Sequence, residues 1–346
     1  MEQLSVFSSI RREEKLSKLG DNLELLNKLI VWEMFRPTLE KAVSKPSRRM
    51  GGRPRYDVVM MFKILVLARL YNLSDDQTEY QINDRISFMR FLGLGLGNTV
   101  PDAKTIWLFR ETLKEAGVMD ELFDQFSALL GEQGLITREG SIVDATFVDV
   151  PKQRNHRDEN RQIKEGAVPE EWKKPENKHK LCQKDTDARW TKKNNETHYG
   201  YKDHVKADAD SKLITEYSVT PASVHDSQEF IGLLDENDRV IYADSGYAGK
   251  SIAEQLPAGT VNQICEKGTR NHPLTEEQKR SNREKSKTRC RIEHIFGYMT
   301  GAMHGISIRS IGIRRAEFNI GLMNLVYNIC RYSCLMGARP AEVSQG

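Results

Sequence analysis

From Asp21 to Glu40 apolar side chains recur at Leu25, Leu26, Leu29, Ile30, Trp32 and Phe35, a helical spacing that Pro37 interrupts near its end. From Asp57 to Tyr71 the apolar residues are nearly continuous, which predicts a helix buried on all sides. Ser74 followed three positions later by Gln77 has the form of a capping box and predicts a helix turning Ile82, Ile86 and Met89 inward, until Gly93, Gly95 and Gly97 break the pattern. Val100-Pro101-Asp102 starts another helix, with Ile106, Leu108, Phe109 and Leu113 on its apolar side and Lys104, Arg110 and Lys114 left to solvent. Two short helices across a glycine-containing connection resemble a helix-turn-helix, a form that ordinary helical hairpins share.

The pattern changes at Gly140. Gly140 to Val150 is short, β-branched and bounded by Gly and Pro151, which predicts a strand. A polar stretch near 152–198 predicts a long loop, and Tyr199 to Asp208 with Leu213 to Thr220 a hairpin across Asp210-Ser211-Lys212. Val224 to Leu234 is helical in pattern, Arg239 to Ala243 a strand, Ile252 to Leu256 a short helix and Val261 to Glu266 a strand; a long helix runs from about Arg283 to Met299. Strands and a hairpin followed by alternating helix and strand define an α/β layer fold with a mixed sheet. The stripe Phe318, Leu322, Leu325 and Ile329 reads as core or a subunit contact.

The net charge is only +3 over 346 residues, so a nucleic-acid partner has to be argued from local clusters. Two exist. Lys152 to Lys206 carries fifteen Lys and Arg against ten acids, and Lys267 to Arg291 nine against three. Five cysteines, none in a CxxC pair, suggest neither a disulfide framework nor a zinc site, which fits a reduced cytoplasm. The most apolar stretch, Val58 to Ala68, is about half the length a bilayer crossing needs, and the first residues are too polar for a signal peptide, so no membrane role follows.

Asp144 lies inside an apolar strand, where a carboxylate is costly unless a partner offsets its desolvation. Asp244 ends Val240-Ile241-Tyr242-Ala243, beyond the carboxyl end of a strand, where open α/β sheets place ligands. Each alone also reads as a cap for the next turn; two together make a candidate cation site. Glu293, four residues after Arg289 on one helical face, points away from the packing stripe of Ile292, Ile295, Phe296 and Met299, and alone reads equally as an exposed ion pair.

An ordered set of motifs makes the pattern specific: Val143-Asp144-Ala145-Thr146, His198-Tyr199-Gly200-Tyr201-Lys202, Thr220-Pro221-Ala222-Ser223-Val224-His225-Asp226, Ala243-Asp244-Ser245-Gly246-Tyr247, and Arg289 with Glu293-His294. Together with Gly52-Arg53-Pro54 and the helices to about Phe126, the set resembles the DDE transposases of bacterial insertion sequences, in the IS-five group of the IS-four-like superfamily. The resemblance implies an RNase H-like mixed five-stranded sheet flanked by helices and preceded by an all-α domain. It also implies Asp144, Asp244 and Glu293 as catalytic metal ligands for two Mg2+ ions, with Mn2+ able to substitute. Ser286 and Thr300 stand where the family signature has Tyr and Lys.

Arg289 is then the leading candidate for a phosphate contact, because its guanidinium fork matches phosphate oxygens. Lys285, Lys287 and Arg291, with Lys202, Lys104 and Arg110, are further candidates for DNA contacts. His294, Tyr199 and Tyr201 are weaker ones, since such residues more often pack in a core. The expected organisation is a helical DNA-end-binding domain over 1–135, a catalytic domain over 136–335 and a tail over 336–346. The expected partners are double-stranded DNA, both terminal inverted repeats and target, and a second copy of the chain in a homodimer on DNA, in the bacterial cytoplasm at the nucleoid. The rivals are a catalytically silent DNA-binding protein of transposase origin and a nuclease on the same fold.

Overall fold

A computed structural model describes residues 6–44, 55–193 and 195–338. Gly52-Arg53-Pro54 and most of the expected tail lie outside the described residues. Two compact units divide the chain, one within residues 1–130 and 325–346 and the other over 131–324. The helix Ile313–Ala338 therefore begins in the second unit and ends in the first, whereas the sequence pattern sets the boundary after 335. Among the described residues no helix is long and apolar enough to cross a membrane.

The first unit is helical. Helix Val58–Leu70 has eleven of its 13 residues buried, as its unbroken apolar run requires. Phe35 packs on Phe62 at 5.0 Å, and Phe126 meets Tyr332 edge to face at 6.0 Å. Side chains of Asp21, Asp57, Ser74 and Asp102 cap the helices that follow them. The continuous helix expected over 21–40 is instead two, Asn22–Leu29 and Arg36–Val43, across a 3-10 turn at Trp32–Phe35. Pro37 falls in the first turn of the second, where its missing N–H removes no bond. The helix expected to carry Ile82 through Met89 also breaks, because Arg85 is extended between Asp75–Asp84 and Ile86–Leu92.

Helix Ala103–Ala116 corrects three expectations about its surface. Arg110 grips both oxygens of Asp75 at 2.7 Å, and Lys114 pairs with Glu111 and Glu115, so neither side chain is simply left to solvent. Leu108 is exposed instead of buried. Lys104 is exposed as expected.

The second unit is built on a mixed sheet of six strands: β1 (Ser141–Asp149), β2 (Arg189–Lys193), β3 (Glu196–Asp208), β4 (Ile214–Pro221), β5 (Val240–Tyr242) and β6 (Val261–Asn262). Their path is β4-β3-β1-β5-β6, with β3 antiparallel to β1 and β4, and β5 and β6 running parallel to β1. This order and polarity is the RNase H-like arrangement, with one strand more than the five expected. The extra strand, β2, pairs with the first residues of β3. It comes from the stretch expected as a loop, which also forms helices Arg157–Lys164, Glu170–Lys173 and Lys178–Gln183. Trp172 anchors that region, fully buried and donating its indole N–H to Glu159 at 2.7 Å. The expected strand at 261–266 is regular over Val261–Asn262 and goes on bonding the chain of β5, Gln263 N–H to the Ile241 carbonyl and Cys265 N–H to the Ala243 carbonyl, whereas the expected helix over 224–234 is reduced to Asp226–Glu229 and a 3-10 turn.

One glycine shapes the sheet where β3 meets both β1 and β2. At Gly200, φ is +151°, and an added Cβ would collide with the carbonyl oxygen of Val148. Gly200 still pairs with Arg189 and with Asp149, so β3 passes here between two neighbours at a backbone approach that only glycine allows. Replacing Gly200 with Ala is expected to destabilise the protein by about 3 kcal/mol, because strain and a backbone clash coincide. Urea denaturation of the Gly200→Ala protein measures this, and an unchanged midpoint would contradict it.

Candidate active site

Asp144 occupies the middle of β1, opposite Val205 of β3, with its side chain 18% exposed. Its Oδ1 accepts a 2.8 Å hydrogen bond from the Ala145 N–H, and Oδ2 lies 3.6 Å from the Arg289 guanidinium. Burial pushes the carboxyl up to about 6; the negative charge of Asp244 adds to the rise, while the Ala145 N–H and the charges of Arg289 and Lys193 oppose it. Asp244 follows β5 and caps a 3-10 turn, its Oδ1 accepting from the Gly246 N–H at 2.7 Å. A side chain at position 246 would press on that same oxygen.

Glu293 lies in the first turn of helix Arg291–Gly301 with its side chain 62% exposed. The long helix expected here is divided at Cys290, and Arg289 closes the preceding helix Glu276–Arg289. The two residues still meet: the second arm of the Arg289 guanidinium lies 3.2 Å from Glu293. Arg289 therefore bridges Asp144 and Glu293, while Asp244 is close enough for its charge to act on Asp144. Among the described residues no three His, Cys, Asp or Glu side chains are grouped closely enough to hold a metal ion. The donor chemistry nevertheless suits a hard divalent cation. All three groups offer carboxylate oxygen, Asp144 is desolvated with weak compensation, and Glu293 is exposed and tied by one ion pair.

The family model described as the transposase DDE domain matches residues 136–329, which spans β1, the sheet and both helices around Cys290. The chain belongs to the DDE transposase family. A second model, described as a transposase domain (DUF772), matches residues 11–112 of the helical unit. The cryo-EM structure of a piggyBac transposase synaptic complex with hairpin DNA is similar at 11% identity and a TM-score of 0.42, over 92% of this chain and 75% of that one.

Of the basic residues that the sequence of this DDE transposase nominates for DNA, Arg289 alone is shown against the acids. Lys202 is corrected: it is 7% exposed, donating to the Val224 carbonyl and to Asp226 at 2.7 Å each. Its alternating place on β3 turns it into the layer that carries Asp226, which a motif cannot reveal. Lys285 donates to the Ile264 carbonyl, Lys287 pairs with Glu284 on the surface, and Arg291 holds the Ala209 carbonyl and Asp210. The His294 ring lies beside Lys212, and Tyr201 donates its hydroxyl to Asp185. Tyr247 is buried, and burial with the charges of Asp144, Asp226 and Asp244 pushes its phenol far up, so it stays protonated beside the acids. Sequence reasoning missed Lys193, whose charge reaches Asp144 from β2; the cation-rich Arg189-Trp190-Thr191-Lys192-Lys193 was its only signal.

The Asp144 environment fixes a pH dependence. Unfolded, the carboxyl titrates near 3.8, and folded near 6, so the unfolded chain gives up its proton first. Below about pH 3 both states are protonated and Asp144 makes no difference. As the pH rises from about 4 to about 6 the unfolded chain ionises while the folded state keeps its proton, so about 3 kcal/mol of stability is lost over that window, with no further loss above it. In chelator, Asp144→Asn is expected to stabilise the protein at about pH 8 by about 2 to 3 kcal/mol and to leave it unchanged at about pH 3. Urea denaturation at the two pH values checks this; equal effects at both would refute it.

Proposed function

We propose that this chain is a DNA transposase of the IS-five group, which nicks the ends of an insertion sequence and joins the freed 3′-hydroxyls to target DNA. The observation that carries the reading is that Arg289 bridges Asp144 and Glu293, far apart in the chain, with Asp244 close enough for its charge to act on Asp144. In this reading the three carboxylates would hold two Mg2+ ions, or Mn2+ in their place. Bound there, such ions would activate an attacking oxygen and stabilise the leaving one in an in-line displacement at phosphorus.

The chain's own groups set up that reaction. Asp144, weakly partnered at Oδ2, has an oxygen available to a ligand, while its Oδ1 is fixed by the Ala145 N–H. Asp244 is oriented by the Gly246 N–H in the same way. Arg289 neutralises the acids until DNA arrives and then turns its fork to a phosphate, where two parallel hydrogen bonds are available. The protonated Tyr247 and the apolar cluster of Val143, Phe230, Ile241 and Ala243 behind it keep water from that side of the sheet. Residues 1–135, with exposed Lys104, would bind the terminal repeats as duplex DNA, and the pairing of two ends would assemble a homodimer on DNA.

Purified protein, Mg2+ and a plasmid carrying the inverted repeats that flank the gene test this. Nicking at the repeat ends and their covalent transfer to a second DNA are expected. Asp144→Asn, Asp244→Asn and Glu293→Gln should each slow both steps by about a thousandfold, the loss expected when several kcal/mol of metal-ion stabilisation disappear. Cutting without joining would replace this reading with a nuclease. Repeat binding without cutting would replace it with a silent DNA-binding protein.

A further inference from the structure

The charge of Lys193, at the end of β2, reaches Asp144 although the two are distant along the paired strands. Two residues before Gly200 on β3, the His198 ring stacks on Phe147 at 4.0 Å with 8° between planes. Phe147 is only three residues beyond Asp144 on β1, and both aromatic rings are half-buried. The stack fixes Lys193, on β2, with its Nζ 5.8 Å from the centre of the Phe147 ring and 3.6 Å from Asp226. Its side chain is 47% exposed, and its charge favours the ionised form of Asp144.

The neighbouring charges decide what Lys193 is free to do. Asp226 already holds the buried Lys202 at 2.7 Å, a closer and better desolvated partner. Lys193 can leave Asp226 without stranding a carboxylate, whereas Lys202 cannot. Glu196, opposite Lys193 in the hairpin register, and Asp149 both lie about 4 Å from His198. β2 itself carries three cations and no acid, a charge pattern suited to a polyanion.

We propose that Lys193 holds a DNA phosphate next to the one that reacts at Asp144, with the stacked Phe147 and His198 fixing the hairpin that presents it. The proposal rests on the transposase reading. Lys193 is a positioning residue: it exchanges a loose pair with Asp226 for a phosphate oxygen, and one condensed counterion leaves the DNA in return. An ammonium on a flexible stem suits a point contact of this kind, and an arginine would serve as well.

The test uses the full chain and a duplex ending in the flanking repeat, with Lys193→Ala, Lys193→Arg and, as comparator, Lys192→Ala. Lys192 carries the same charge one residue away, with its side chain on the opposite side of the strand. Binding is followed against KCl concentration in Ca2+, and nicking in Mg2+. Lys193→Ala is expected to flatten the log–log salt slope by about 0.9, the loss of one phosphate contact. It should raise KM about tenfold, as the loss of one charged hydrogen bond does. kcat should change much less, and Lys193→Arg should restore both readings. Equal losses in Lys192→Ala and Lys193→Ala, or an unchanged slope in Lys193→Ala, would overturn the proposal. Failure of the transposase reading looks different: the wild-type protein would not nick, while the binding slopes would still report on Lys193.

Discussion

A carboxylate placed in the middle of a strand, between two covered faces of a sheet, is the constraint on which this catalytic unit turns. The interior of β1 disfavours the charge of Asp144, and the structure relieves that only partly. Of the other buried acids in this unit, Asp203 is likewise pushed up by burial, to about 7, with Asn324 on one oxygen, but three others are treated differently. Asp208 accepts from the backbone of Thr137, Arg138, Asp210 and Ser211 and lies below the usual carboxylate range. Asp185 accepts from Tyr201, Gly312, Asp187 and Ala188, and Asp238 from Ser141, Lys206 and Asp235. Those three are structural acids with their oxygens used. Asp144 has one short backbone bond and a guanidinium 3.6 Å away, which leaves it a charge in want of a cation.

The elements around it bring charged side chains to it from three directions, of which the cations alone offset its charge. The short β5 delivers Asp244 at a strand end, where the chain turns into Ser245-Gly246-Tyr247. The helices divided at Cys290 deliver Arg289 and Glu293. The β2–β3 hairpin delivers Lys193. Each source is a different kind of element, so the site depends on the whole sheet topology.

What the sequence could say follows from the range of the interactions involved. Asp144 and Asp244 were legible because an acid within or at the end of an apolar run conflicts with its neighbours. The RNase H-like arrangement was legible through β1, β3 and β4, whose runs are long and bounded by turn residues. β2 was not, because three of its five residues are cations and it lies within a polar stretch without the apolar alternation of a strand, although its pairing with β3 is local. Lys202 was placed at DNA by its motif and found inside, since motif membership does not tell which side of a strand a residue takes. The helix breaks at Arg85 and Cys290 also escaped, because neither residue carries a strong stop signal, and tertiary packing sets such boundaries.

The break at Cys290 has an electrostatic consequence of its own. It places Arg289 in the last turn of one helix and Glu293 in the first turn of the next. Aligned peptide dipoles leave the carboxyl end of a helix partly negative and the amino end partly positive, so each side chain is favoured where it stands by about 0.3 to 1 kcal/mol. An uninterrupted helix would offer neither residue that support. Because each charge is stabilised by its own helix end, the two can separate toward different ligands without either being left in an unfavourable field.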